Sequence, residues 1–277
     1  MSNGNSKLRP WFSLEDKPPC CEPQAIIEAD NLAVSYGSHT AFAQVSLSMN
    51  KGCITAVVGP SGCGKSSFLM SLNRMTDLVP GCRVSGSIKI GSQPILDPKH
   101  DVIALRRRVG MIFQKPNPFP LSIQRNLTFP LREHGIRDRE TLDATVEQTL
   151  RAVGLWEEVK DRLHAPALAL SGGQQQRLCL ARALALKPEI ILLDEPCSAL
   201  DPISSGVVEE LIQSLSGRYT IVIVTHNLAQ ARRIADEVVV FWLRDGCGYI
   251  VESGTTRRVF ETPQSELTGG YVAGLRG

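Results

Sequence analysis

A short apolar run, Ile54, Ala56, Val57 and Val58, leads directly into Gly59-Pro60-Ser61-Gly62-Cys63-Gly64-Lys65-Ser66, which satisfies G-x-x-x-x-G-K-[ST] at every fixed position. No other stretch constrains the fold so tightly, because it demands a buried strand, a tight turn and a helix in that order. Glycine has no Cβ, so backbone N–H groups at Gly62, Gly64 and their neighbours can turn inward around a polyphosphate. The helix opening near Lys65 aims its positive dipole end at the same anion. Lys65 would then reach the β- and γ-phosphates as a point charge. The Ser66 hydroxyl would join a Mg²⁺ shell, with Ser67 as a reserve ligand.

Acidic side chains suited to such a site lie further on. Glu189 to Leu193 reads as a buried strand ending in Asp194-Glu195, two adjacent carboxylates whose repulsion needs a cation or a water network to relieve it. Asp194 would hold Mg²⁺ with Ser66, and Glu195 would orient or deprotonate an attacking water. The strand Thr220 to Val224 runs into Thr225-His226, a histidine that either donates to the γ-phosphate or is structural. A second glycine signal, Ser171-Gly172-Gly173-Gln174, places Ser171 to cap a helix running to Leu186, with Lys187-Pro188 ending it. Its glycines leave N–H groups open to an anion, although glycine at a helix start is common. Tyr36, just upstream of the phosphate loop, either stacks on adenine or sits half-buried in a strand.

Around these motifs strand and helix patterns alternate. Ala25 to Met49 reads as strands turning at Gly37-Ser38, and Gly86 to Ile90 as a strand of a small antiparallel layer. Val102 to Arg107 reads as a helix, and Val109 to Phe113 as a strand ending at Gln114. Pro116, Pro118 and Pro120 forbid a regular element, giving a stiff loop that pivots at its ends. Ser122 can cap a helix to about Phe129, where Pro130 should kink or end it. Asp138 can cap a longer one, with Leu142, Val146, Leu150 and Val153 on one face and Gly154 as its stop. Residues 119–165 thus read as an inserted helical subdomain, residues 1–24, with Pro10, Pro18, Pro19 and Pro23, as a flexible tail, and residues 25–277 as one domain.

A net charge of +2 over 277 residues shows no nucleic-acid footprint, and Arg106-Arg107-Arg108 reads as a solvated edge. The longest apolar runs, Ile221 to Val224 and Val238 to Leu243, fall far short of the ~20 residues a membrane span requires. The first residues lack an apolar signal segment, and the eight cysteines form no C-x-x-C pair. A cytoplasmic protein with free, mostly packed thiols is expected.

Tyr36, the Gly59–Ser66 loop, Gln114, Leu170 to Arg177, Ile191 to Pro196, Ser198 to Asp201 and His226 occur in an order and spacing that resemble the ABC ATPases, over almost everything after the tail. The resemblance implies an α/β fold: a P-loop NTPase core of the ABC ATPase type, with a small antiparallel β layer and an inserted helical subdomain, binding ATP and Mg²⁺. It implies a homodimer in which each ATP lies between one chain's loop, Gly59 to Ser67, and the other's Ser171, Gly172, Gly173 and Gln174. Carried over by position, Tyr36 stacks adenine, Gln114 senses Mg²⁺ and couples to a membrane partner, and Glu195 is the catalytic base. Asp201 bridges the dimer and His226 positions the γ-phosphate.

More finely, Phe113 to Pro120, Leu170 to Pro196, Ser198 to Ile203, Thr220 to Asn227 and the closing Tyr271 to Gly277 are similar to the ATP-binding subunits of bacterial phosphate importers. This implies two transmembrane permease subunits and, indirectly, an extracytoplasmic phosphate-binding protein as partners, no nucleic acid, and a peripheral place on the cytoplasmic face of the inner membrane. The alternatives are the ATP-binding subunit of another importer, such as one for polar amino acids, and a soluble non-transport ABC ATPase. Against the latter, the chain carries neither a long coiled-coil insertion nor a duplicated ATPase. Cys197 stands where the family commonly has Thr, and Pro130 where glycine is usual; neither change removes a phosphate or Mg²⁺ ligand. Cys63, beside Lys65 and a helix N-terminus, is either a low-pKa thiol whose modification blocks ATP or an inert packed one.

Overall fold

The strand that feeds the glycine loop is buried at all five positions and lies deep in a sheet. In the computed structural model, which describes residues 24–275, the strands are β1 (Ala25–Tyr36), β2 (His39–Asn50), β3 (Ile54–Val58), β4 (Cys82–Ile90), β5 (Gln93–Pro94), β6 (Val109–Ile112), β7 (Ile190–Asp194), β8 (Thr220–Val224), β9 (Glu237–Arg244) and β10 (Cys247–Thr255). They form one sheet in the order β5-β4-β1-β2-β10-β9-β3-β8-β7-β6. The tail expected over residues 1–24 falls, but for Gln24, outside the described residues.

From β9 to β6 the neighbours are parallel. These strands are apolar on both faces, as buried parallel strands must be. Ile54, Ala56, Ile191, Leu193, Ile221 and Ile223 face one apolar cluster, while Val57, Leu192, Val222 and Val224 face another. The antiparallel layer is β1 paired with β2 and β4, and β4 with β5. It continues the same sheet through β10, whose Gly248 pairs in parallel with Phe42. Phe42, Phe68 and Phe241 fill the space beneath the glycine loop, with ring centroids 5.5–6.1 Å apart.

The helices are α1 (Lys65–Ser71), α2 (Val102–Arg108), α3 (Ile123–Glu133), α4 (Arg139–Ala152), α5 (Trp156–Val159), α6 (Gly172–Ala185), α7 (Pro202–Leu215), α8 (Leu228–Ile234), α9 (Thr256–Glu261) and α10 (Glu266–Val272). Ser122 and Asp138 cap α3 and α4 as their sequence positions require. Ile123, Leu127, Val146 and Leu150 join the cluster that holds Leu178 of α6, so α3 to α5 form a helical layer on α6. Pro130 does not end α3, which runs on to Glu133. Buried Leu127 and Leu131 on either side of the proline keep the apolar face docked, and Gly135, at φ +86°, follows the helix instead.

Two other expectations are corrected. Arg106 donates to the carbonyls of Asn73 and Arg74, and Arg108 pairs with Glu189 at 2.9 Å, so only Arg107 of the triplet is a solvated edge. Cys63, Cys82, Cys179, Cys197 and Cys247 are free, but Cys53 is disulfide-bonded. No helix among the described residues is long and apolar enough to cross a membrane.

Candidate active site

The loop leaves β3 at the C-terminal edge of the parallel strands, the edge where open α/β sheets bind ligands. Gly59 takes φ +146°, and a Cβ there would lie 2.2 Å from the Phe241 carbonyl oxygen, so only glycine fits between loop and sheet. Gly62 and Gly64 are also left-handed, and among the described residues no side chain caps α1, which leaves its first-turn N–H groups available to an anion. Lys65, only 6% exposed as a residue, donates from its ammonium to the carbonyls of Gly59 at 2.8 Å and Pro60 at 2.7 Å. These contacts hold a positive charge against the loop.

Opposite stands the acidic end of β7. Ser66 donates its hydroxyl to Asp194 Oδ1 at 2.9 Å. Burial pushes the Asp194 carboxyl above the ordinary carboxylate range; the Ser66 hydroxyl opposes that shift and the neighbouring Glu195 charge adds to it. Glu195 leaves the strand at φ +45°, a left-handed conformation that is rare outside glycine and concentrated at functional sites. Its Oε2 accepts from Gln114 Nε2 at 3.1 Å and lies 3.1 Å from His226 Nδ1. Residues 114, 195 and 226, from three separate segments, thus meet at one carboxylate oxygen.

The oxygen set fits Mg²⁺ held jointly with nucleotide phosphates. Ser66 and Asp194 offer two hard ligands, too few for a protein-only cage but enough for a cation that arrives on its nucleotide. The partly desolvated Asp194 carboxylate is the group that gains most from a nearby cation.

The remaining predicted residues fall in two places. Tyr36 lies beside the loop helix, its hydroxyl donating to Ser67 Oγ at 3.1 Å, so the reserve ligand Ser67 already has a partner. Ser171 and Gln174 form a reciprocal capping box on α6, the Gln174 N–H donating to Ser171 Oγ and the Ser171 N–H to Gln174 Oε1. Gly173 is required by packing, since a Cβ would lie 2.8 Å from Ser204 Oγ of α7. Asp201 caps α7 by accepting from the N–H groups of Ile203 and Ser204. Among the described residues, no hydrogen bond joins Ser171, Gly172, Gly173, Gln174 or Asp201 to the glycine loop of their own chain.

Residues 42–198 match the protein family described as ABC transporter. The chain belongs to that family. Among its ABC relatives, the phosphate import ATP-binding protein PstB 1 of Nitrosococcus oceani is 61% identical over 264 residues, covering 95% of each chain. A solved ABC structure, cbiO1 from Clostridium perfringens, part of the transporter complex cbiONQ, superposes with a TM-score of 0.71 at 26% identity, covering 86% of this chain and 92% of the other.

Two supports of this ABC loop have no signal in the sequence. Gly248 of β10 passes beneath it, where a Cβ would sit 2.1 Å from the Cys63 carbonyl oxygen. Tyr271 of α10 is buried against Trp242, with its phenol facing the Gly59 amide. Both contacts bring together positions far apart in the chain, and no local pattern announces them. Cys63 itself corrects the reactive-thiol alternative: it is fully buried, and burial pushes its thiol up despite Lys65 Nζ at 3.7 Å.

Proposed function

We propose that this chain is the ATP-hydrolysing subunit of an ABC importer that takes up inorganic phosphate. The observation that carries the chemistry is the meeting of Gln114, Glu195 and His226 at one carboxylate oxygen, next to the Ser66–Asp194 pair at the loop. What supports phosphate as cargo is the likeness along 95% of both chains to the phosphate import protein of Nitrosococcus oceani. Nothing in the site itself selects a cargo.

In this reading the loop N–H groups from Gly59 to Ser67 and the Lys65 ammonium hold the ATP phosphates, and Tyr36 stacks on the adenine. Ser66, Asp194 and Gln114 would ligate Mg²⁺, which would neutralise phosphate charge as it develops. Glu195 accepts the proton as water oxygen bonds to the γ-phosphorus and the bond to the bridging oxygen breaks, giving ADP and phosphate. His226 orients Glu195 and the γ-phosphate from the end of β8. Ser171, Gly172, Gly173 and Gln174 serve the ATP of a second copy, and Asp201 bridges the two, which accords with the lack, among the described residues, of a hydrogen bond from them to their own loop.

Helices within residues 119–165 act as the inserted subdomain, and the loop from Gln114 to Pro120 passes motion to two permease subunits at the cytoplasmic face of the membrane. The test is ATP hydrolysis by the transporter reconstituted in vesicles. Phosphate-loaded binding protein should stimulate it, and an amino-acid-loaded one should not. Stimulation by the amino-acid protein alone would replace phosphate with the other cargo.

A further inference from the structure

The proline-bound segment Gln114 to Pro120 is gripped by α6. Gln176 Nε2 reaches the Phe113 carbonyl only at 3.5 Å, and among the described residues its buried Oε1 has no donor, so this end of the grip is weak. The other end is strong. Arg182 donates from Nη1 to the Asn117 carbonyl and from Nη2 to Asn117 Oδ1, both at 3.0 Å, while its guanidinium carbon sits 4.2 Å from the centre of the Phe119 ring. From the far side Asn126 of α3, fully buried, accepts from the Phe119 N–H at 2.7 Å and donates to its carbonyl at 3.1 Å.

Among the described residues no carboxylate pairs with Arg182, whose charge is met by two amide oxygens, a ring face and, at 3.9 Å, the Cys179 sulfur. A partly desolvated guanidinium without an acid is costly, and lysine could not reproduce the planar fork. Ser171, which caps the start of the same helix, lies about 16 Å away along its axis at 1.5 Å per residue.

We propose that Arg182 is a positioning residue that makes the Gln114–Pro120 loop and α6 a single rigid piece, so that displacement of the loop by a permease subunit moves the Ser171-Gly172-Gly173 turn at the other end of the helix. The proposal rests on the importer reading above. Arg182 acts through Asn117 and Phe119.

The experiment uses the complete transporter in vesicles and compares basal ATPase with that stimulated by phosphate-loaded binding protein. Arg182→Ala, Arg182→Lys and Asn117→Ala should each cut the stimulated rate by about tenfold, leaving basal rate and KM for ATP unchanged. The double variant Arg182→Ala/Asn117→Ala should be no worse than Arg182→Ala alone, which already removes the bond to Asn117 Oδ1 together with those to the Asn117 carbonyl and the Phe119 ring. Asn117→Asp, which keeps an oxygen for the guanidinium, should retain stimulation. Asn117 is exposed, so Asn117→Ala keeps the test decisive should Arg182→Ala fail to fold. Full stimulation in Asn117→Ala, or losses that multiply in the double variant, would overturn the proposal alone. A parent transporter that phosphate-loaded binding protein does not stimulate would overturn the importer reading, and the proposal with it.

Discussion

His226 Nδ1 lies 3.1 Å from the same Glu195 oxygen to which Gln114 Nε2 donates at 3.1 Å, so the carboxylate is fixed from two sides before any water meets it. Glu195→Gln keeps the volume and the backbone turn but lacks a basic oxygen. Hydrolysis should fall about 10²- to 10⁴-fold while ATP binding persists. Phosphate release and equilibrium dialysis with labelled ATP on the same preparation check this. Undiminished turnover would remove Glu195 from the chemistry.

Asp194 offers a test through pH. Its folded-state carboxyl is raised, chiefly by burial, so the native protein favours the proton more than the unfolded chain does. That contribution to stability is complete below the ordinary carboxylate pKa and is lost as pH rises through the raised value. At neutral pH the ionised group therefore weakens the nucleotide-free protein. Asn at this position can still accept the Ser66 hydroxyl but carries no charge. Asp194→Asn should melt a few degrees higher than the parent near neutrality, with the gain shrinking toward acid pH, and should lose ATPase activity. A lower melting temperature at neutral pH would contradict the assignment.

The parts of the site that are local in sequence were legible there. The glycine spacing from Gly59 to Ser66, the strand-end pair Asp194-Glu195 and the Ser171 cap each lie within one turn or strand end, where chain geometry alone constrains residue type. Of the two courses open at Pro130, a kink or an end, the sequence did not exclude the end, because the burial of Leu127 and Leu131 that carries α3 on to Glu133 despite the missing hydrogen bond is tertiary. The grip of Arg182 on Asn117 was not legible, since it spans 65 positions and uses a residue type that on a helix reads as solvated. The Cys63 thiol was misjudged by one alternative for a related reason. Nearness to Lys65 is visible in sequence, whereas the burial that outweighs it is not.

Gly248 should be as demanding as any loop glycine. Its added Cβ would meet the Cys63 carbonyl oxygen at 2.1 Å and that of Ala41 at 2.9 Å, and both are backbone atoms that cannot swing aside. Gly248→Ala should cost about 1–3 kcal/mol or more and raise KM for ATP by displacing the loop. Gly206 of α7 is the control, with no neighbour within 4 Å of an added Cβ. Gly206→Ala should stabilise by about 0.5–1 kcal/mol through helix propensity. Denaturant titrations of the two variants beside the parent give both values, and a harmless Gly248→Ala would refute the close approach.

Cys63 sits within the loop yet should be chemically quiet. Two influences compete at its sulfur: burial disfavours the thiolate, and the Lys65 ammonium at 3.7 Å favours it. Burial wins, because Lys65 also serves the carbonyls of Gly59 and Pro60 at shorter range and no water reaches the sulfur to solvate a charge. Alkylation needs both thiolate and access, so native Cys63 should react only through opening of the surrounding core. The half-exposed Cys247 supplies an internal reference. In a timed alkylation read by peptide mass spectrometry, Cys247 should be modified well before Cys63, with or without ATP. Inhibition by the reagent that tracks Cys63 modification, and disappears in Cys63→Ser, would show that the sulfur is reachable and that burial does not control it.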